Sequence, residues 1–389
     1  MKGPLSGIKV IEAANFVSGP YAAQLLADLG AEVIKIENPK GGDPFRSEGY
    51  ATPFVAFNSN KKSVTIDIRT DAGSHLFKSL ATDADVIVEN FRPGVLDKYG
   101  IGCDVLRTIN PRLIYCAISG FGQHGPYRRR PAYDTVASAL SGMLGLMLKG
   151  DHPQILGPAI SDGIAGLYAS YGILGALVRR QQTGLGGRVD VSMVESTVAF
   201  LRDQFAVLFA TGHPPGPLDR PAASLCFALR CSDEKLLSIH LSWPEKFWIK
   251  LTDAIGRSDL RMDVRFSTRK MRIANYLALE AELRGAFLTQ PRKTWMDILE
   301  HSDVPFAPVN QLDETLSDPH VQQLELFADC NHPEFGKVRV LRPPVRYDHR
   351  KESDMTPPPA LGEHTDEVLA ALGVSQSERS ALRSQGAIG

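Results

Sequence analysis

Residues 8–37 read IKVIEAANFVSGPYAAQLLADLGAEVIKIE, and this stretch decides the fold of the N-terminal half. Residues 8–11 are a short apolar run that predicts a strand, and Pro20 suits the first turn of the helix that follows. Gly30 ends that helix, and residues 32–37 predict a second strand. A strand, a helix and a strand in this order are typical of a parallel sheet covered by helices.

The same alternation continues further along the chain. It predicts strands at residues 63–68, 85–89 and 112–117 and a helix at 74–81. In the second half, the residue patterns predict a strand at 236–240 and helices at 244–255, 273–287 and 294–301. From residue 319 they predict strands and loops, followed by a last helix within 364–373. The fold class is therefore α/β, with a large domain over residues 1–210, a Pro/Gly-rich linker at 211–222, a small α+β domain over 223–318, and a return to the large domain over 319–389.

Composition excludes several classes of partner. The 389 residues carry a net charge of −1, which argues against nucleic acid or an anionic membrane. The five cysteines are scattered, as in a protein that keeps its thiols reduced. The start of the chain lacks the apolar region of a signal peptide, and the uncharged residues 163–178 are too short for a membrane span. We therefore expect a cytoplasmic protein.

The first strand–helix–strand unit invites a nicotinamide-binding interpretation, but its glycine pattern is missing. The loop at residues 12–21 reads EAANFVSGPY, which has one glycine where G-x-G-x-x-G is required. The GLGG run at 184–187 follows a predicted helix instead of a strand. No Walker A sequence and no H-E-x-x-H is present either. We therefore expect no nicotinamide, no ATP requirement and no metal.

Asp162 is the most informative single residue. It stands before the uncharged residues 163–178, which predict a buried helix that ends near Gly184. At the positive end of that helix a carboxylate is stabilised. One interpretation is a helix N-cap, a role for which Ser161 competes. The other is a reactive group at the mouth of a packed core.

The surroundings of Asp162 favour the second interpretation. Residues 157–196, GPAISDGIAGLYASYGILGALVRRQQTGLGGRVDVSMVES, resemble the segment that carries the catalytic aspartate in the class III, formyl-CoA transferase-like CoA-transferases. The resemblance extends from about Leu5 to about Ala371. It includes FNSNKKSVTIDIRT (57–70), DVIVENFRPGVLDKYG (85–100), VPFAPVNQLDETLSDPHV (304–321) and LGEHTDEVLAALG (361–373).

This resemblance implies both an architecture and a reaction. It implies a Rossmann-like large domain with a parallel sheet built from both chain ends, a smaller domain between them, and two chains interlocked as a homodimer. It further implies that Asp162 attacks an acyl-CoA thioester, forms an aspartyl anhydride and then an aspartyl-CoA thioester, and passes CoA to a small carboxylic acid. Coenzyme A is then the shared cosubstrate.

Binding CoA requires cations for its phosphates, and the family-like stretches offer several. The candidates are Lys40, Arg46, Lys61 and Lys62. By resemblance, the position of Lys98 contacts CoA in related enzymes, where arginine is common, and Tyr133 occupies a position that lines the active site. A solvated surface charge is the ordinary role of a lone lysine or arginine. For Tyr133 the ordinary role is a core tyrosine with a bonded hydroxyl.

Two alternative functions remain open from the sequence. The family also contains α-methylacyl-CoA racemases, in which a histidine of a G-H-D motif and an aspartate exchange a proton. This chain has Ala132-Tyr133-Asp134 at that motif, and His124 lies outside it, so transfer is preferred to racemisation. The second alternative is a non-catalytic acyl-CoA-binding protein in which Asp162 is only a helix cap.

Two departures from the formyl and oxalate enzymes bear on the acceptor. Residues 221–237, PAASLCFALRCSDEKLL, lack the run of glycines that closes over the intermediate in several relatives. Val17 lacks the polar side chain that those enzymes have at this position. We therefore expect an acceptor acid other than oxalate.

Overall fold

The structure is a computed structural model, and it describes residues 3–47, 51–148, 152–332, 335–348 and 355–389. All seven predicted site residues lie within these ranges. Among the described residues, no helix is long and apolar enough to cross a membrane. The chain divides into two compact units: Met1–Leu144 with Ile155–Arg202 and Glu325–Gly389, and Gly145–Gln154 with Asp203–Leu324.

The first unit is built on a six-stranded sheet in which every neighbouring pair of strands is parallel. Its strand order is β3-β2-β1-β4-β5-β6. The strands are β1 (Lys9–Ala13), β2 (Glu32–Glu37), β3 (Lys61–Thr65), β4 (Val86–Glu89), β5 (Ile114–Ser119) and β6 (Gly187–Ser192). The predicted α/β class with a parallel sheet is confirmed. The strand predicted at 63–68 begins earlier, at Lys61, because Lys61 is paired and buried.

Helices of the first unit cover both faces of this sheet. The helices up to residue 211 are α1 (Ser18–Asp28), α2 (Ala51–Asn58), α3 (Asp71–Thr82), α4 (Val95–Lys98), α5 (Cys103–Ile109), α6 (Asp134–Leu140), α7 (Met143–Met147), α8 (Ile160–Thr183), α9 (Met193–Phe200) and α10 (Arg202–Thr211). The boundary between the two units falls within α7, and α10 after Arg202 belongs to the second unit. Alternate strand residues point to opposite faces. Val10 therefore packs with Ala23 of α1 and Ile173 of α8, whereas Ile11 packs with Phe77 of α3 and Leu106 of α5.

The second unit carries an antiparallel sheet in the order β7-β8-β9. Its strands are β7 (Cys226–Arg230), β8 (Leu236–His240) and β9 (Phe306–Pro308), and the helices from 219 to 323 are α11 (Asp219–Ser224), α12 (Glu245–Ala254), α13 (Arg269–Ala274), α14 (Tyr276–Phe287), α15 (Arg292–His301), α16 (Leu312–Ser317) and α17 (Pro319–Gln323). Because α11 begins at Asp219, the predicted linker 211–222 is partly helical. Pro221 lies in the first turn of α11, where proline is tolerated.

The helix predicted at 273–287 is divided into two. Asn275 lies between α13 and α14 with φ −109° and ψ 31°. Its side-chain amide donates to the carbonyl oxygen atoms of Arg265 and Met271, at 3.1 and 2.9 Å. Asparagine side chains that bond to nearby backbone compete with the helical ladder. The apolar period alone does not reveal this competition.

The C-terminal segment returns to the first unit. It forms β10 (Phe327–His332), β11 (Gly336–Leu341), α18 (Thr365–Ala371) and α19 (Gln376–Ser384). Both chain ends contribute to the first unit, as predicted, but all six strands of the parallel sheet lie between residues 9 and 192, so the C-terminal end adds no strand to it. The tail packs against the free side of β3. The hydroxyl of Thr365 accepts from the backbone N–H of Thr65 at 3.0 Å, and Ile388 forms an isolated bridge with Ile66.

A buried cluster of charged side chains crosses the three neighbouring strands β1, β2 and β3. Glu12 of β1 pairs in register with Lys35 of β2, and their side chains form an ion pair of 2.7 Å. Lys61 of β3 binds the other Glu12 oxygen at 2.6 Å, and Asp43 binds Lys35 at 2.9 Å. All four side chains have no solvent exposure. Burial alone would lower the pKa of Lys35, but Glu12, Asp43 and Glu37 outweigh it and raise that pKa.

This cluster predicts very different effects for two adjacent lysines. Lys61 also donates to the Pro20 carbonyl and to Asn58, whereas Lys62 forms half-exposed ion pairs with Glu32 and Glu367. Lys61→Met removes one partner of a buried pair and should lower the free energy of unfolding by about 3–5 kcal/mol. Lys62→Met should change it by about 1 kcal/mol or less. Chemical denaturation of both variants measures this, and equal small effects would contradict the structural role of Lys61.

Candidate active site

A cavity of about 240 Å³ opens at the carboxyl ends of β1, β4 and β5. Asn15, Asn90 and Ser119 come from these strand ends, and Asp162 of α8 also lines the cavity. In the strand order of this sheet, β1 and β4 are neighbours, and the chain runs from β1 to β2 on one side but from β4 to β5 on the other, so the two connections diverge. Open α/β sheets bind ligands at such a switch point. The topology thus places the predicted reactive carboxylate where a ligand site is expected.

Asp162 is not the N-cap of its helix. Helix α8 begins at Ile160, so Asp162 is its third residue, and Ala159 occupies the cap position without a side-chain bond. Ser161 is buried, and its hydroxyl bonds to those of Ser138 at 2.7 Å and Thr197 at 2.9 Å. The N-cap interpretation of Asp162 and Ser161 is therefore wrong. Both side chains contact residues outside α8, and the helix begins at Ile160, before the predicted start at residue 163.

The backbone and side chain of Asp162 have separate partners. Its N–H is one of the donors that a helix N-terminus leaves unpaired, and Oδ1 of Asp134 accepts it at 3.1 Å. Its carboxylate faces the hydroxyl and the backbone N–H of Ser18, and both donors act to lower its pKa. Ser18 is the first residue of α1. The carboxylate therefore lies at the N-termini of two helices, where negative charge is stabilised.

The environment nevertheless raises the pKa of Asp162 to about 6. Burial is the largest cause, and the nearby Asp134 carboxylate adds to it, while the two hydrogen bonds from Ser18 oppose the rise. Desolvation and the like charge therefore outweigh the donors. The result is a carboxylate that is mainly ionised at neutral pH but poorly solvated, and such a group is a stronger nucleophile than one in water.

Asn90 positions Ser18. Its side-chain amide donates to the Asn15 carbonyl at 2.7 Å and to the Ser18 hydroxyl at 3.3 Å, and its Oδ1 accepts from the Asn15 N–H at 2.9 Å. Gly19 permits this close approach, since a Cβ there would lie 2.4 Å from Cβ of Ala14. The Ser18 oxygen can thus accept from Asn90 while its proton is directed to Asp162.

Ser18, Asn90 and Asp134 were not predicted from the sequence as residues of this site. Each could have been found from its place after a strand or at a helix start. Asn90 follows β4 directly, and Ser18 and Asp134 are the first residues of α1 and α6. Polar residues at the carboxyl ends of parallel strands and in first turns of helices are the ones that reach a ligand at the switch point.

The residues predicted to bind CoA lie in two different environments, some exposed and others engaged inside the protein. Tyr133 lines the cavity with 64% of its surface exposed, and its ring meets that of Phe16 edge-on at 5.7 Å. Its predicted alternative as a core tyrosine is therefore wrong. Lys40 and Lys98 are exposed. Lys40 lies near Asp67, whose pKa Arg69 and, more weakly, Lys40 hold below its usual range.

Arg46 and Lys61 are engaged inside the protein instead. Arg46 makes two hydrogen bonds of 2.8 Å to Glu37 and stacks on Phe54. Lys61 is closed within the buried charge cluster and cannot reach a phosphate in this structure. Its prediction as a CoA ligand is corrected because Glu12 of β1, which lies on the far side of β2 in the sheet, pairs with it.

A second cavity, of about 190 Å³, lies along the same edge of the sheet. Residues from the ends of β1 and β2 line it, together with Asp67 and Arg69, which follow β3. Asn15 and Phe91 line both cavities. The two cavities therefore adjoin along the carboxyl edge of the sheet. No histidine is among the described residues that line either one, and those residues contain no cluster of metal-binding side chains.

Comparisons with known proteins agree over nearly the whole chain. The sequence profile of CoA-transferase family III matches residues 5–365. The chain is 34% identical over 375 residues to the succinyl-CoA:glutarate CoA-transferase of Mus musculus, which covers 94% of this chain and 86% of that protein. It is 35% identical over 336 residues to the acetyl-CoA:oxalate CoA-transferase of Acetobacter aceti, with 82% and 84% covered. A crystal structure of a CAIB/BAIF family protein from Brucella suis, 35% identical, matches with a TM-score of 0.85 over 96% of this chain and 100% of that chain.

The electrostatic balance at Asp162 predicts pKa changes of opposite sign in two variants. Asp134→Asn keeps an acceptor for the Asp162 N–H but removes the like charge, so the pKa of Asp162 should fall below about 6. Ser18→Ala removes one donor, so that pKa should rise. Each change should be on the order of one pH unit. Carbon-13 NMR of labelled aspartate carboxyl groups measures both, and shifts of the same sign would contradict this balance.

Proposed function

The chain belongs to CoA-transferase family III, and we propose that Asp162 is the nucleophile through which it moves CoA from an acyl-CoA to a small carboxylic acid. The enzyme class follows from the family, since relatives that match most of the chain are CoA-transferases. One observation carries the assignment of Asp162. It is the desolvated carboxylate in the cavity at the switch point, held by Ser18 and with a pKa of about 6.

The proposed reaction begins with attack of an Asp162 carboxylate oxygen on the thioester carbonyl carbon. The carbon–sulfur bond breaks, CoA leaves as a thiolate, and a mixed anhydride remains on Asp162. The thiolate then attacks the Asp162 carbonyl carbon, which releases the donor acid as a carboxylate and leaves an aspartyl-CoA thioester. The free energy of the donor thioester is retained in the anhydride and in the aspartyl-CoA thioester, so the transfer needs no ATP.

The acceptor reverses these steps. Its carboxylate attacks the aspartyl-CoA carbonyl carbon, forms a second anhydride and frees the thiolate. The thiolate attacks the acceptor's carbonyl carbon, and Asp162 leaves as a free carboxylate. Each proton and electron pair is accounted for, since carboxylates and the thiolate carry the charge throughout.

The contacts of Asp162 suit the tetrahedral states of this sequence. When the thiolate or the acceptor attacks the Asp162 carbonyl carbon, negative charge develops on an Asp162 oxygen. The hydroxyl and backbone N–H of Ser18 already face that carboxylate as donors that lower its pKa. Donors that are in place before charge develops lower the barrier, because they require no reorganisation. Asn90 keeps the Ser18 hydroxyl oriented for this task.

The adjoining cavity provides a place for CoA. We infer that the thiol end of CoA lies in the Asp162 cavity and that its distal part lies along the cavity lined by Asp67 and Arg69. Lys40 and Lys98 are exposed cations available to the phosphates, and Tyr133 can contact the acyl end. Homodimeric assembly, which the molar mass in solution tests, and a cytoplasmic location stay predictions from the sequence.

Asp162→Asn is the direct kinetic test. An amide cannot form the anhydride, so CoA transfer should fall by about 10³-fold or more. The melting temperature should stay unchanged or rise, because the variant removes a poorly solvated charge from a site that is not a cap. Asp104→Asn, in the first turn of α5, is the matched control and should retain transfer. Near-normal transfer by Asp162→Asn would refute the assignment.

A further inference from the structure

Three arginines line the same cavity as Asp162. They are Arg92, Arg128 and Arg130. All three are exposed, and none forms a salt bridge with any described residue. Elsewhere in this unit, Arg46, Arg69, Arg180 and Arg188 each pair with a carboxylate of the protein. The cavity therefore presents cations that the protein itself leaves without an anionic partner.

Arg130 is prepared for a planar anion. Its guanidinium lies 4.0 Å from the centroid of the Tyr127 ring, and Tyr127 in turn meets Phe121 edge-on at 5.8 Å. Stacking occupies one face of the guanidinium plane and leaves its N–H groups free at the edges. Those edges match the two oxygens of a carboxylate.

These arginines are not the charge partners of the Asp162 carboxylate. The pKa of Asp162 is raised, and no arginine contributes to lowering it. A guanidinium in contact with a carboxylate lowers its pKa by about 1–3 units. No salt bridge joins Arg92, Arg128 or Arg130 to the Asp162 carboxylate among the described residues, so these cations remain available to another anion in the cavity.

The diphosphate of CoA is a poor match for these arginines. About a dozen bonds separate the CoA sulfur from its diphosphate, which at roughly 1.2 Å per bond is about 15 Å in an extended chain. Drug-sized ligands occupy pockets of about 300–1,000 Å³, whereas the Asp162 cavity has about 240 Å³. With the sulfur at Asp162, the diphosphate lies outside this cavity. A small acid fits within it.

We propose that Arg128 and Arg130 bind the second, non-reacting carboxylate of a dicarboxylic acid, so that the acids exchanged by this enzyme are dicarboxylates. The proposal rests on the proposed role of Asp162, because the first carboxylate must reach the aspartyl carbonyl. Arg92 adds positive charge to the same cavity. A dicarboxylate is then held at one end by the arginines while its other end reacts.

The run of arginines supplies its own control. Arg129 lies between the two residues but does not line the cavity. Arg128→Gln and Arg130→Gln are compared with Arg129→Gln in the full-length enzyme. Acetyl-CoA and succinyl-CoA serve as donors, with succinate and glutarate as dicarboxylate acceptors and butyrate and valerate as their monocarboxylate counterparts. Circular dichroism and Tm show that each variant is folded.

The expected result is a change in discrimination. Wild type should prefer the dicarboxylates, and the ratio of kcat/KM for dicarboxylate to monocarboxylate should fall about tenfold to a hundredfold in Arg128→Gln and Arg130→Gln, mainly through KM. Arg129→Gln should keep the wild-type ratio. Arg130→Lys should recover part of it, since lysine keeps the charge but loses the fork.

Other outcomes separate this inference from the proposed function. A wild type that uses monocarboxylates equally well, or variants that raise KM for acetyl-CoA, which has no second carboxylate, as much as KM for the dicarboxylate acceptor, would overturn the dicarboxylate assignment. Acylation of Asp162 by a donor without transfer to any of the four acids would also overturn it and leave the nucleophile intact. Absence of both acylation and transfer would reject the proposed function itself.

Discussion

The active site depends on the buried ion pairs that the Lys35 ammonium forms with two carboxylates. This ammonium binds Glu12 of the neighbouring strand and Asp43 of the following loop, and none of these side chains is exposed. Asp43 also accepts the N–H of Phe16, which has a left-handed backbone with φ 64°. Buried ion pairs contribute little net stability, but a missing partner is costly. The cluster therefore determines the path of the loop between β1 and α1, and that loop delivers Ser18 to Asp162.

The site balances two opposing effects on one carboxylate. Donors from Ser18 and two helix N-termini favour the ionised form of Asp162, whereas burial and Asp134 disfavour it, and a pKa of about 6 shows which effects are larger. A more solvated carboxylate would be a weaker nucleophile, and a fully desolvated one would be protonated at neutral pH. The intermediate value leaves the group ionised and reactive. In the proposed reaction, the same donors remain in place when negative charge develops on the carbonyl oxygen of Asp162.

Local patterns predicted much of this structure. The strand at residues 32–37 was placed to the residue because its apolar alternation lies between turn signals, and the helix of Asp162 was found from its uncharged composition. The start of that helix was not predicted, because it depends on contacts with distant parts of the chain. These are the hydrogen bond between Ser161 and Ser138 and the one from the Asp162 N–H to Asp134. Lys61 and Lys62 are adjacent in sequence, and only the pairing with Glu12 on β1 distinguishes a buried lysine from a surface one. Such pairings arise from sheet topology and leave no local signal.

In the proposed reaction, Asp162 becomes covalently linked first to the acyl group and then to CoA. Incubation with an acyl-CoA followed by hydroxylamine, with peptide mass spectrometry, tests it most directly. We expect an aspartyl hydroxamate at Asp162 alone, which depends on the acyl-CoA and is absent from Asp162→Asn. Hydroxylamine trapping at another residue, or at none while transfer proceeds, would contradict it.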